Sequence, residues 1–157
     1  MKRFGNVLPR YRVTLVREAE ASFTSYPKFH NSRELFECFR EEFAALDREV
    51  FSMITLDIKH RAIGYHLVSV GSLSSSIVHP CDAFKPAVLL ENAAAVVFMH
   101  NHISNDPAPS WEDRECTKRL VAAAKILGIR VLDHVIFGGE TDYFSFADAG
   151  LLDPSLG

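Results

Sequence analysis

Phe98-Met99-His100-Asn101-His102-Ile103-Ser104-Asn105-Asp106-Pro107-Ala108-Pro109-Ser110-Trp111-Glu112-Asp113 decides how the rest of this chain is read. Ahead of it, Ala93 to Met99 is an apolar run of the kind that forms a buried strand. Side chains on a strand alternate with period 2, so His100 and His102 at its end point the same way. A polar loop with two prolines follows, and a helix starting near Ser110 brings Asp113 back within its first turn. Two imidazoles and a carboxylate converging from a strand end and a helix start make a three-ligand metal site. An open fourth position is the pattern of a catalytic zinc rather than a structural one. Bland readings stand beside this: two ordinary histidines at a strand end, and a capping box in which Ser110 caps the helix and Asp113 sits at N3. The capping box is compatible with the metal site, because a helix start is a rigid place from which to aim a carboxylate.

Working outward, the spacing predicts a helix from Asn31 or Ser32, with Leu35, Phe36, Phe39, Phe43 and Leu46 on its inner face. A strand is expected from about Glu49 to Leu56, a turn over Asp57 to Arg61, and an antiparallel partner strand over Ala62 to Val70. A short strand is expected near Ile77-Val78. His79-Pro80 then opens a helix that contains Pro86. After the central stretch, a helix runs from Trp111 to about Leu127 with Leu120, Val121, Ala124 and Leu127 inward, and Gly128 terminates it. Ile129 to Phe137 supplies one or two strands, and Tyr143 to Phe146 a last one. Helices mixed with hairpin strands give an α+β domain, a mixed β-sheet flanked by helices. Residues 1–30 read as an arm with an edge strand at Tyr11 to Val16 that another copy can pair with, residues 31–152 as the domain, and residues 153–157 as a frayed tail.

Bulk properties fit this frame. The chain has 157 residues, 48% hydrophobic and 24% charged, which suits one soluble domain. Its net charge of −3 argues against a broad nucleic-acid surface. No apolar run approaches the roughly 20 residues of a membrane span, and no apolar segment follows Met1-Lys2-Arg3, so neither membrane association nor a signal peptide is expected. Cys38, Cys81 and Cys116 are scattered and form no C-x-x-C pair, as expected of thiols in a reducing cytoplasm. The same absence rules out the zinc-deaminase signature, which needs such a pair.

The residues also carry a resemblance. A Glu on an early strand, then H-x-H, seven residues, Ser, two residues and Asp resembles the JAMM motif of the JAB/MPN metalloprotease superfamily. Gly71 to Pro80 (GSLSSSIVHP), Asn92 to Ala95, Thr117 to Leu120, Leu132 to Ile136, Phe144 to Phe146 and Gly150 to Leu152 narrow it to the RadC family. The resemblance covers about residues 45–152 and implies the JAB/MPN fold, which is cytidine-deaminase-like. It implies that His100, His102 and Asp113 hold Zn2+, that Glu49 is the catalytic glutamate, and that Ser110 is the transition-state serine. The implied activity is a zinc hydrolase cleaving a peptide or isopeptide bond of a protein substrate. The rival is a non-catalytic MPN module in a DNA-repair or mobile-element setting, since nucleic acid enters only through the family's historical label. A metal-dependent nuclease is disfavoured by the negative charge and the one-metal ligand set. Longer family members resemble helix-hairpin-helix DNA binders at their N-terminus, and this chain reads as a short form without that module. It departs from the family's H-N-H-P-S-G-D at Ile103 and Asn105, and from H-P-R-E at Cys81 and Asp82. His79-Pro80 reads as a structural turn. Asp133-His134 reads either as a pair orienting a ligand or as a hydrogen-bonded core pair, with the structural role preferred.

Overall fold

A computed structural model describes residues 28–71, 78–90 and 93–152. The expected edge strand at Tyr11 to Val16 and the tail at 153–157 lie outside the described residues, as does Ile77. Val78 is not in a strand.

Eight elements follow in order: α1 (Ser32–Ala44), β1 (Val50–Leu56), β2 (Ala62–Val70), α2 (Pro80–Leu89), β3 (Ala95–Asn101), α3 (Trp111–Leu127), β4 (Arg130–Gly138) and β5 (Asp142–Ser145). They form one five-stranded sheet of order β2-β1-β3-β4-β5. β3 and β4 are parallel and every other neighbouring pair is antiparallel, so the sheet is mixed and the fold α+β. The parallel pair is the one joined by a helical crossover, α3, because parallel strands need a long connection.

Both faces of the sheet are covered. On one, α1 packs Leu35, Phe36, Phe39 and Phe43 against Ile54, Leu56, Val97, Met99, Val135 and Phe137. On the other, α2 and α3 bring Ala83, Phe84, Ala87, Cys116, Leu120 and Ala124 onto Phe51, Met53, Val96 and Phe98. β1 and β3 are therefore buried along their whole length and lack polar alternation, as central strands of a three-layer sandwich should.

Each helix is stopped and started by local chemistry. The Asn31 side chain accepts from the Glu34 amide to cap α1. The His79 ring accepts from the Cys81 amide to cap α2, with Pro80 in the first turn where its missing N–H costs nothing. Gly128 ends α3 at φ 71°, a left-handed conformation that glycine adopts without strain. The inner face of α3 departs from expectation at one end: Leu127 is 46% exposed, because the helix has passed the edge of the sheet, whereas Thr117 and Cys116 are buried. Among the described residues, no helix is long and apolar enough to cross a membrane.

Candidate metal centre

The end of β3 and the start of α3 meet where the central sheet opens. His100 is the last inward residue of β3 on the α3 face, fully buried beside Phe51. His102 follows one pleat later, just past the strand, and projects the same way. Its Nε2 lies 3.0 Å from Nε2 of His100. Asp113, 1% exposed, sets Oδ1 3.2 Å from His100 Nε2 and Oδ2 3.2 Å from His102 Nε2. One donor atom from each of the three lies within 4.8 Å of the others.

The helix start supplies the aim of Asp113. Ser110 accepts from the Asp113 amide at 3.1 Å, and Asp113 Oδ2 accepts from the Ser110 amide at 2.8 Å and from its hydroxyl at 2.7 Å. The capping box and the candidate ligand are thus the same carboxylate. Burial alone would push the Asp113 carboxyl up. The contacts with His100 and His102 and the Ser110 hydroxyl outweigh that and hold it far below the ordinary carboxylate range, so the buried group stays ionised. Burial lowers His100, whereas the Asp113 contact raises His102.

The donor set fits a metal ion. His102 Nδ1 lies 2.7 Å from the Asp106 carbonyl, which can only accept, so Nδ1 carries a proton and Nε2 is the ring atom left to ligate a metal ion. Bonds of about 2.0–2.1 Å from a tetrahedral ion to its ligands put ligand atoms roughly 3.3 Å apart. The two imidazole Nε2 atoms, 3.0 Å apart, come close to this, and each faces its own oxygen of the Asp113 carboxylate at 3.2 Å. A buried carboxylate set against two imidazoles calls for positive charge among them, which a proton on an imidazole or a metal ion can supply.

Glu49 sits immediately before β1, one residue outside the strand that was expected to begin with it. β1 is the antiparallel neighbour of β3, with Phe51 opposite His100, which brings the Glu49 segment beside the histidines. The Glu49 carboxylate is close enough to act electrostatically on both His100 and His102. The middle residue of the H-x-H fixes that segment. Buried Asn101 accepts from the Val50 amide through Oδ1 at 2.8 Å and donates through Nδ2 to the Arg48 carbonyl at 3.0 Å. Its side chain thereby grips the backbone on both sides of Glu49. The sequence reading overlooked Asn101, although a polar residue alternating out of the H-x-H face toward a neighbouring strand was the available signal.

The loop between the candidate ligands carries two of the departures from the family pattern. Asn105 stands at φ 59°, so it occupies the left-handed region that the family's usual glycine serves, and Asn tolerates that region best among the other residues. The loop lies directly on the end of β4: a Cβ on Gly138 would stand 2.5 Å from Pro107 Cδ and 2.8 Å from the Asn105 carbonyl. Ile103, in the family's proline position, is about half exposed, and Cys81 is exposed at the start of α2.

His79 has the structural role expected of it, as the α2 cap. His134 is buried beside a candidate ligand. It lies opposite Phe98 in the β3–β4 register, and its Nε2 is 2.8 Å from Nδ1 of His100. Asp133, by contrast, points away from the His134 ring and holds the end of β5 together, accepting from Ser145 Oγ and from the amides of His134 and Ala147.

Comparison with known proteins agrees with this geometry. The family model of the RadC-like JAB domain matches residues 29–151. The chain is 50% identical over 125 residues to a UPF0758 protein of Trichlorobacter lovleyi, covering 80% of this chain and 54% of that one. It is 47% identical over 125 residues to a UPF0758 protein of Pelobacter propionicus, with the same coverage. A UPF0758 protein of Desulfitobacterium hafniense is 43% identical over 126 residues, covering 80% of this chain and 55% of that one. The chain thus spans about half the length of the curated relatives it matches. With a mixed sheet between helices, a buried His-His-Asp group at its opening and the family model matched from α1 to beyond β5, this chain belongs to the RadC-like JAB domain family.

Proposed function

We propose that this protein is a zinc-dependent hydrolase that cleaves a peptide or isopeptide bond. The observation that carries the reading is the convergence of His100 Nε2, His102 Nε2 and an Asp113 oxygen within 4.8 Å, with Glu49 held beside them. Two imidazoles and one carboxylate with an open position are a ligand set that catalytic zinc takes, and zinc when bound would lower the pKa of its water to about 7.

Glu49 accepts the proton released from the attacking water and returns it to the leaving amine. Its position one residue before β1, on backbone gripped by Asn101, supports this assignment. The Ser110 hydroxyl, at the rim of the same site, turns to donate to the carbonyl oxygen as it becomes negative. Asp113 Oδ2 also receives the Ser110 amide, so the carboxylate keeps a partner when the hydroxyl turns. A net charge of −3 favours a peptide over a polyphosphate substrate.

Zinc content measured on purified protein after metal loading tests the site: one ion per chain is expected, and none in the His100→Ala, His102→Ala double variant. Cleavage of a quenched-fluorescent peptide and isopeptide library tests the chemistry. Glu49→Gln should abolish cleavage and keep zinc. A wild-type protein that binds no zinc refutes the reading, and one that binds zinc but cleaves nothing is a binding module of the same fold.

A further inference from the structure

Behind His100, on the side away from the open position, a chain of three side chains runs back into α3. Thr117 Oγ1 lies 2.7 Å from the Asp113 carbonyl and 2.6 Å from His134 Nδ1, and His134 Nε2 lies 2.8 Å from His100 Nδ1. All three side chains are buried, and the His134 ring is enclosed by Phe51, Phe98 and Phe146, stacking on the last at 4.9 Å.

The direction of each hydrogen bond follows from what each atom can do. A backbone carbonyl only accepts, so the single Thr117 hydroxyl proton goes to Asp113. Toward His134, Thr117 can then only accept, and Nδ1 of His134 carries hydrogen. A neutral imidazole with Nδ1 protonated has its lone pair on Nε2, so the proton shared with His100 belongs to His100 Nδ1. His100 Nε2 is left as a bare lone pair facing His102 and Asp113. Reversing the chain either leaves the Thr117 and Asp113 oxygens 2.7 Å apart with no proton between them, or keeps that proton in place and makes His134 a buried imidazolium inside an aromatic cage.

We infer that Thr117 and His134 are positioning residues that lock His100 in the tautomer whose Nε2 can ligate a metal ion. This deepens the metal-site reading above and rests on it. The relay begins and ends on the same helix turn: Asp113 offers its side chain to the site and its carbonyl to Thr117, four residues later. Rotation of the His100 ring or a swap of its tautomer therefore breaks contacts on both sides of the site together. Partners behind a metal-bound histidine typically set affinity by 10- to 100-fold when removed. A histidine in this place, itself fixed by a threonine, does the work more often done by a carboxylate or carbonyl.

Long-range 1H–15N correlation spectra of the histidine rings test the relay directly, in both metal-free and zinc-loaded full-length protein. Protons on Nδ1 of both His100 and His134 are expected in each form. A proton on His100 Nε2, or on His134 Nε2, in the metal-free protein overturns the inference whether or not zinc binds. Competition with a chromophoric chelator then measures affinity. Thr117→Val should return His134 to a mixture of tautomers and weaken zinc several-fold, and Thr117→Ser should restore both. His134→Leu should weaken zinc by about 10- to 100-fold, and His134→Gln, which retains an acceptor toward His100, should recover part of it. Unchanged zinc affinity in folded Thr117→Val and His134→Leu, beside a wild type that binds one zinc, overturns the relay alone. A wild type without zinc overturns the parent reading, and the metal-free spectra still decide the relay.

Discussion

Replacing Asn101 with Ala removes the grip on the Glu49 segment without touching a proposed metal ligand. The side chain makes two hydrogen bonds, 2.8 Å from the Val50 amide and 3.0 Å to the Arg48 carbonyl. The two contacts also fix which end of the amide is oxygen, since Val50 can only donate and the Arg48 carbonyl only accept. Arg48 is exposed, so its carbonyl rehydrates and the loss there is about 1 kcal/mol. Val50 is 7% exposed, and an orphaned buried N–H costs about 1–3 kcal/mol. The sum, about 2–4 kcal/mol, converts to a drop of roughly 1–2 M in the urea midpoint with a slope near 2 kcal/mol/M. Urea unfolding followed by circular dichroism measures it, with the slope unchanged. In the folded variant, zinc should remain at one per chain. Cleavage of any peptide the wild type accepts should fall about 100-fold in kcat, the cost of misplacing a catalytic group by about 1 Å. A midpoint shift below roughly 0.3 M at unchanged slope refutes the energetics. Full activity in Asn101→Ala refutes its role in placing Glu49.

Four further outcomes follow from the structure. Asp113→Asn keeps the shape of the capping box but removes the buried negative charge, so zinc binding measured by chelator competition should fall by at least 10-fold while the helix content stays. Gly138→Ala drives a methyl group into Pro107 and the Asn105 carbonyl and should cost about 1–3 kcal/mol and weaken zinc, because the displaced loop holds the Asp106 carbonyl that orients His102. Asn105→Gly should be neutral by thermal unfolding, and Asn105→Val should cost about 1–2 kcal/mol at its positive φ. Asp57, in the β1–β2 turn, accepts from the Arg61 amide and guanidinium and from the Lys59 amide, with the Arg61 amide first among the causes that hold its carboxyl below the ordinary range. A depressed folded value means that the turn's stabilisation is full above about pH 3.9 and is lost as the pH falls through the lower folded value. Urea midpoints of wild type and Asp57→Asn should therefore differ at pH 7 and converge in strong acid.

Much of the site was legible because it is local. His100 and His102 share a strand face by the period of the strand, and Ser110 and Asp113 share a helix turn by the capping box, so each pair is set by a few consecutive residues. The order and type of α1, β1, β2, α2 and α3 follow from caps, prolines and periodicity in the same way, although α1 ends at Ala44, before Leu46, and β1 begins at Val50, one residue after Glu49. Glu49 was a different case. On spacing alone Asp47 and Glu49 were equivalent, and only the resemblance separated them. In the structure β1 runs antiparallel to β3, in a register that brings the backbone flanking Glu49 to the Asn101 amide.

His134 shows the limit of the sequence most clearly. Beside Asp133 it reads as a core pair, yet the two side chains diverge, because neighbours on a strand point to opposite faces. Its partner, His100, is 34 residues away and becomes adjacent only when β4 docks parallel to β3 after the α3 crossover. Thr117 reaches the same ring only because α3 lies across that face of the sheet. By itself, then, the sequence determined which groups converge at the end of β3 and what they can ligate, since strand period and helix capping act within a few residues. Strand register and helix docking, which act across dozens of residues, decided which side chains stand behind those candidate ligands.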